Sequence, residues 1–437
     1  MVGVKIWTEI SGERLSGNLA ALRRIVEERT TDGTGQELPD SIEVLAVVKA
    51  NAYGHGIDPC AAVLAAAGAK WLGVTDAHEG ARVREALRTG APGLKPHAAE
   101  AMYRGLKPAA ATPAGRAEDM AAGPAILVMS GTAGLAGEAE CIVRNQLTAV
   151  AWNSDQLEKL AAAARSARVE APVPVHLEVD TGMSRQGVAA GAALDGVLRR
   201  VAATRGIALD GVFTHFASTE VAGSPQTAEQ QERFAAAIAQ VAASGLRPRW
   251  VHVGNSSYID NGAGQREWLR WLRSVSEQLG ARSMVRSGLA LYGYLLPIEG
   301  EAQPLAAGSV LPVMSWKTRI IGVAEIEAGA RVGYCGTFTA TRPMRVALLP
   351  AGYADGLRRE LSSNDARPGG WVMIRGARAP IVGRISMNLT TVDVSAIRDA
   401  AAGDEAVLLG EGISADDHAR LASTIAYEIL CGVKRSE

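Results

Sequence analysis

The chain has few cysteines, few aromatic residues and almost no excess of charge, and each shortage removes a class of function. Cys60, Cys141, Cys335 and Cys431 are its only cysteines, and they form neither a CxxC pair nor a zinc spacing. They read as thiols of a reducing compartment, and no metal site is expected. A net charge of −1 argues against nucleic acid or an anionic membrane surface as the main partner. No apolar run reaches the ~18 residues of a membrane helix. Met1–Glu9 has neither the apolar stretch nor the cleavage site of a signal peptide. With aromatics at 5% and hydrophobic residues at 48%, the core must be built from small aliphatic side chains. These exclusions leave a cytoplasmic soluble enzyme as the expectation.

A chain of 437 residues should hold two or three domains. Apolar strand candidates fall at 44–48, 71–74, 125–129, 149–152, 174–179, 210–214, 250–254 and 284–286. Helical patterns lie between them, as at 77–88, 154–165, 190–204 and 227–243. Eight βα units match an α/β fold of the TIM (β/α)8 barrel type, placed over residues 11–305. A doubly wound sheet is the competing architecture, but no GxGxxG follows the first strand.

Residues 306–437 change character. Short β-rich segments at 310–323, 344–349, 371–375, 379–382, 389–394 and 405–409 precede one helical stretch at 415–430. They read as a C-terminal, mostly-β domain, to which a strand within residues 1–10 is available. Two stretches look like insertions into the barrel. Residues 91–123 join a helix to a strand, so they belong on the face away from the active site. Residues 257–283 lie on the active-site face, where Trp268, Leu269, Trp271, Leu272, Val275 and Leu279 form an amphipathic stripe. That stripe is expected to pack on the barrel rim or a partner subunit, not to bind a ligand.

Chemistry concentrates at strand ends. Lys49 closes the apolar run Val44–Val48 and opens Ala50-Asn51-Ala52-Tyr53-Gly54-His55-Gly56. Desolvation lowers an amine's pKa there, which suits a Schiff-base nucleophile, and Tyr53 can offer a hydroxyl to a phosphate. The alternative is a lysine snorkelling from a strand end. In Val175-His176-Leu177-Glu178-Val179-Asp180, period two points His176, Glu178 and Asp180 into the barrel. Interior polar groups at a barrel mouth suggest chemistry, with a satisfied ion-pair layer as the alternative.

Read together, these segments resemble the alanine racemase family. Lys49–Gly56 resembles its pyridoxal-phosphate signature. Val179–Arg185, Thr214–Ala217, His252–Ser256, Val285–Gly288, Val332–Tyr334, Gly352–Gly356, Gly383–Met387 and Tyr427–Cys431 look like its further motifs, in order. The resemblance implies a fold-type III enzyme that uses pyridoxal 5'-phosphate and works as a head-to-tail homodimer with shared active sites. Lys49 would hold the cofactor and serve one face of the substrate α-carbon. Tyr334, from the partner's β domain, would serve the other face, with His252 hydrogen-bonded to it and assisting. Arg286 would meet the pyridine nitrogen; a structural salt bridge is its alternative.

The resemblance likewise gives Tyr53, Ser256, Tyr427 and the backbone N–H groups of Gly288 and Leu289 to the phosphate. His215 would pack near the cofactor ring, and Arg185 would face the cofactor phenolate and the substrate carboxylate. Met387 from the partner would lend a backbone donor to that carboxylate, and Tyr353 would crowd the substrate side chain. His176 and His55 read as satisfied core residues. Two departures stand out. Glu178 replaces a lysine that many members carbamylate, and is expected to supply the negative charge that orients Arg185. Asn388 replaces a common aspartate near the substrate entrance. Alanine racemisation leads, supplying D-alanine for peptidoglycan. A broader racemase acting on serine, a decarboxylase, a cofactor-free Schiff-base aldolase and a non-catalytic cofactor-binding protein are the alternatives.

Overall fold

The computed structural model describes residues 5–30, 41–90, 123–132, 136–301 and 303–434. The expected insertion at 91–123 lies outside the described residues except for Gly123. Two compact units emerge. One comprises Glu13–Ala52 and Gly56–Leu311; the other comprises Met1–Gly12, Tyr53–His55 and Pro312–Glu437.

The larger unit is a closed barrel of eight parallel strands. They are Glu43–Val47, Trp71–Val74, Ala125–Val128, Thr148–Ala151, Val173–Asp180, Ile207–Phe213, Trp250–Val253 and Arg282–Ser287. Each pairs with its chain neighbours, and the eighth pairs with the first through Val285 opposite Val44 and Arg286 opposite Leu45. A two-residue strand, Val188–Ala189, adds to the end of the fifth. Helices cover the outside, and their caps are legible. Asp76 accepts from the Glu79 N–H to open helix Ala77–Thr89, and Asn153 accepts from the Gln156 N–H to open Ser154–Ser166.

Residues 257–283 are not an insertion. Helix Gln265–Glu277 packs on the seventh and eighth strands as an ordinary barrel helix. Trp268, Leu269, Leu272, Val275 and Leu279 are buried, so the stripe is core, as its periodicity implies. The short turn of helix Ser256–Asp260 supplies the extra length before it.

The smaller unit is mostly strand. Ile6–Ile10 pairs antiparallel with Met314–Arg319, in a five-stranded sheet completed by Glu405–Leu409, Trp371–Ile374 and Ala377–Pro380. The β-rich segment at 310–323 is divided between two sheets. Met314–Arg319 stays in that sheet, while Gly322–Ile326 joins Met344–Leu349 and Thr390–Asp393 in a second. The helical stretch expected at 415–430 is also broken. Ser423 sits at φ 55, ending Ala415–Ala422 before Ala426–Gly432 begins.

The barrel interior tolerates a histidine because its neighbour on the next strand is glycine. A Cβ on Gly211 would lie 2.7 Å from the His176 ring. Gly211→Ala should therefore lower stability by about 1–3 kcal/mol through overpacking. The check is a shifted urea midpoint at unchanged slope.

Candidate active site

The first strand ends in an unusual turn. Ala50, Asn51, Ala52 and Tyr53 have φ of 53, 55, 54 and 53°, a left-handed turn made without glycine. For the alanines and the tyrosine this costs roughly 1 kcal/mol or more each, so neighbouring structure must hold them. Ala52 N–H donates to the Val48 carbonyl (2.8 Å), Gly56 N–H to the Asn51 carbonyl (2.9 Å), and Ile57 N–H to Asn51 Oδ1 (3.0 Å). Asn51 N–H donates to Glu79 (2.8 Å). The turn begins at Lys49, which lines a cavity of about 190 Å³. Thr75, Ser130, Glu178, Arg185, His215 and Arg286 share that cavity. A larger cleft of about 430 Å³, lined by Trp268, Trp271 and Glu267, contains none of these groups. We assign the site by chemistry and not by size.

Arg286 is buried inside the barrel without a hydrogen-bonded carboxylate. It bonds His252 Nδ1 (2.8 Å), the Thr214 carbonyl (2.9 Å) and His215 Nδ1 (3.1 Å), and lies over the Phe213 ring. An arginine can only donate, so His252 Nδ1 accepts and its proton sits on Nε2. That nitrogen faces His176 Nδ1 at 2.8 Å, which must accept in turn. The His176 Nε2–H then donates to Asp210 (3.4 Å), whose other oxygen takes the Arg249 Nε–H. One polar chain thus runs through the barrel with every histidine neutral. Burial pushes the pKa of His176, His215 and His252 down, most strongly for His215 and His252. Burial alone would raise Asp210, but its bonds to His176 and Arg249 hold it below the usual carboxylate range. Burial brings Arg286 down to about 10, so it keeps its proton at neutral pH.

This geometry revises one expectation. Both ring nitrogens of His252 are engaged inside the barrel, so neither remains for a tyrosine hydroxyl. His176 is the buried, satisfied residue that was expected, and His55 bonds the Tyr53 carbonyl through Nδ1 (2.9 Å). Asp180 departs from the period-two reading. Its carboxylate accepts from the N–H groups of Gly182, Met183 and Ser184, shaping the turn that carries Arg185. Glu178 is buried, which raises its pKa, but its hydrogen bond comes from Gln186 and not from Arg185. Arg185 and Arg286 act on it through charge.

At the seventh and eighth strand ends, Ser256 Oγ receives the N–H groups of Gly288 (3.1 Å) and Ala290 (3.3 Å). The Leu289 N–H makes no hydrogen bond among the described residues. The Gly288 N–H, expected as a phosphate donor, is therefore taken by Ser256 Oγ, and the Leu289 N–H is the backbone donor left here for an anion such as phosphate. The Arg286 Nε–H is likewise without a hydrogen bond among the described residues.

The smaller unit holds the other expected residues. The Tyr53 and Tyr427 rings lie 5.7 Å apart. Tyr334, Tyr353 and Met387 are exposed, Tyr334 at 67%. Their loops adjoin: Tyr353 N–H donates to the Ser386 carbonyl, Ala354 N–H to Met387, and Arg384 to Cys335 Sγ. The Met387 N–H has no hydrogen bond among the described residues. Three residues carried no recognisable role in the sequence: Glu79, Gln186 and Asp210. Asp76-x-x-Glu79 is a capping pattern that could have drawn attention to Glu79; Asp210 and Gln186 gave no signal.

Comparison with known proteins agrees with the geometry. Residues 33–296 match the family "Alanine racemase, N-terminal domain", and residues 313–436 match "Alanine racemase, C-terminal domain". The chain belongs to the alanine racemase family. It is 33% identical to the alanine racemase of Symbiobacterium thermophilum, over 98% of this chain and 95% of that one. It is 32% identical to that of Syntrophobacter fumaroxidans, over 98% and 96%. The solved alanine racemase of Streptomyces coelicolor A3(2) superposes with a TM-score of 0.75 at 29% identity, covering 98% of this chain and 96% of that one.

The buried histidines set a pH dependence for this racemase-family barrel. Folded His176 and His252 titrate below the ordinary 6.5, so the unfolded chain binds protons that the folded chain excludes. Stability should fall as pH drops from about 6.5 toward their folded values. Urea midpoints from about pH 7.5 down to about 5.5 should decline, and His176→Gln should flatten that decline.

Proposed function

We propose that this chain interconverts L- and D-alanine with pyridoxal 5'-phosphate as cofactor, in the cytoplasm, as a homodimer. The observation that carries the reading is the gathering of Lys49, Arg185, His215 and Arg286 around one cavity at the C-terminal mouth of the barrel. Bound there, pyridoxal phosphate would acidify the α-proton of an amino acid. Lys49 would hold it covalently and move that proton on one face. The Ser256 hydroxyl and the Leu289 N–H would hold the phosphate, with the Gly288 N–H kept on Ser256 Oγ.

Arg286 offers only donors, so a ring nitrogen facing its Nε would accept and stay unprotonated. That restrains electron withdrawal and disfavours side reactions such as transamination. The charge of Arg286 is countered by Glu178, which Gln186 keeps in place. Arg185 and the Met387 N–H of the second copy would take the substrate carboxylate.

Inversion needs a second acid–base group on the opposite face. Tyr334 fits that role, and its exposure, with that of Tyr353 and Met387, fits coverage by a second copy. With His252 engaged within the barrel, His215, which lines the cavity, would bond the Tyr334 hydroxyl of the other copy. Tyr353 and Tyr427 would crowd the substrate side chain and favour alanine over serine.

Incubation with single L-amino acids in deuterium oxide should give D-alanine fastest, with α-deuterium in the product. Exchange without a D-isomer would overturn the two-base scheme, and a higher kcat/KM for serine would overturn the substrate assignment. Lys49→Ala and Tyr334→Phe should each be inactive alone. Mixed and reassembled, they should recover about a quarter of wild-type activity, the share of intact sites expected of random hybrid dimers. Glu178→Gln should raise KM or weaken cofactor binding roughly tenfold, about 1.4 kcal/mol. Titration of cofactor and substrate checks it.

A further inference from the structure

We propose that Glu79 is a positioning residue for Lys49, holding the left-handed turn in place. Its two carboxylate oxygens are divided between two strand ends. One accepts the Asn51 N–H (2.8 Å) from the turn after the first strand. The other accepts the Thr75 N–H (2.8 Å) from the residue after the second strand. Glu79 itself is fixed on the first turn of helix Ala77–Thr89, where its own N–H donates to Asp76 Oδ1 (2.9 Å). The clamp therefore rests on a long helix and reaches the disfavoured turn from outside it.

The chemistry of the group matters. Two backbone N–H groups converge on one side chain, and a carboxylate offers an acceptor to each without offering a donor. A glutamine can satisfy one of them but turns its own N–H toward the other. Asn51 completes the arrangement from within, since its Oδ1 receives the Ile57 N–H and so starts the next helix. Lys49 lies two residues before Asn51, at the entry of the turn, so releasing the Asn51 N–H frees the segment that aims the amine. Thr75, the other N–H donor, lines the same cavity as Lys49. The carboxylate thus sets the spacing of two walls of one site.

The inference rests on the reading of Lys49 as the cofactor-holding lysine, and its test separates the two. Glu79→Ala and Glu79→Gln would be compared with Asp76→Ala, which removes a cap from the same helix but leaves both clamp bonds. Hydrogen exchange followed by mass spectrometry would be read on cofactor-free and cofactor-loaded protein. Both Glu79 variants should raise exchange across residues 49–57 about tenfold or more relative to Asp76→Ala. They should lower kcat about tenfold with a smaller change in KM, because the amine is misaimed and the substrate contacts are intact. They should also shift the pH dependence of the visible absorbance of the lysine-bound cofactor. Should Glu79→Ala fail to fold, Glu79→Gln carries the comparison. Exchange and absorbance matching Asp76→Ala would overturn the proposal. Borohydride labelling that misses Lys49 in the wild type would overturn the reading of the lysine instead, leaving the exchange result to stand on its own.

Discussion

The buried charge of Arg286 is the constraint on which the barrel's interior depends. A guanidinium inside a closed barrel is expensive unless its donors are matched. Here they meet two histidine nitrogens and a carbonyl, with Glu178 answering the charge from nearby. Meeting them fixes the tautomer of His252, which fixes His176, which calls for an acceptor at Asp210. Gly211 is the glycine that lets His176 fit. A single donor-only side chain at the mouth therefore dictates residues down to the far side of the strands. The same chain of bonds holds the histidines neutral.

A second constraint works at the opposite wall. The left-handed turn after the first strand is built from two alanines, a tyrosine and an asparagine, of which only the asparagine adopts it readily. Its persistence requires outside support, and Glu79 provides some of it from the second βα unit. Strain of this kind is common where a reactive group must be held in one direction. The lysine and the arginine are thus positioned by different means, one by a strained backbone and the other by a polar network.

Much of the fold was legible because period and punctuation are local. Each of the eight barrel strands lies within a few residues of its apolar run, and helix starts followed Asp76 and Asn153. Where the reading failed, a non-local effect intervened. The stretch 310–323 reads as one β-rich segment, but its halves belong to different sheets, a choice made by partners distant in sequence. Residues 257–283 look like an insertion until helix Gln265–Glu277 is seen to pack on the barrel. Asp180, placed in the interior by alternation, is drawn to three adjacent N–H groups instead.

The sequence by itself determined the repeating βα order, the change to short strands, and the motifs that mark the family, since each is a short-range pattern. It also singled out Lys49, because an apolar run ending in a lysine and a polar turn is visible without coordinates. Only the tertiary structure decided what each polar residue does. The motifs point to His252 as the partner of Tyr334, yet that histidine has both nitrogens committed while His215 lines the cavity. Asp210, Gln186 and Glu79 acquire roles from groups brought close by strand closure, such as Asp210 to His176 across 34 residues. A hydrogen bond acts over about 3 Å, and sequence separation carries no information about which donors fall within that reach.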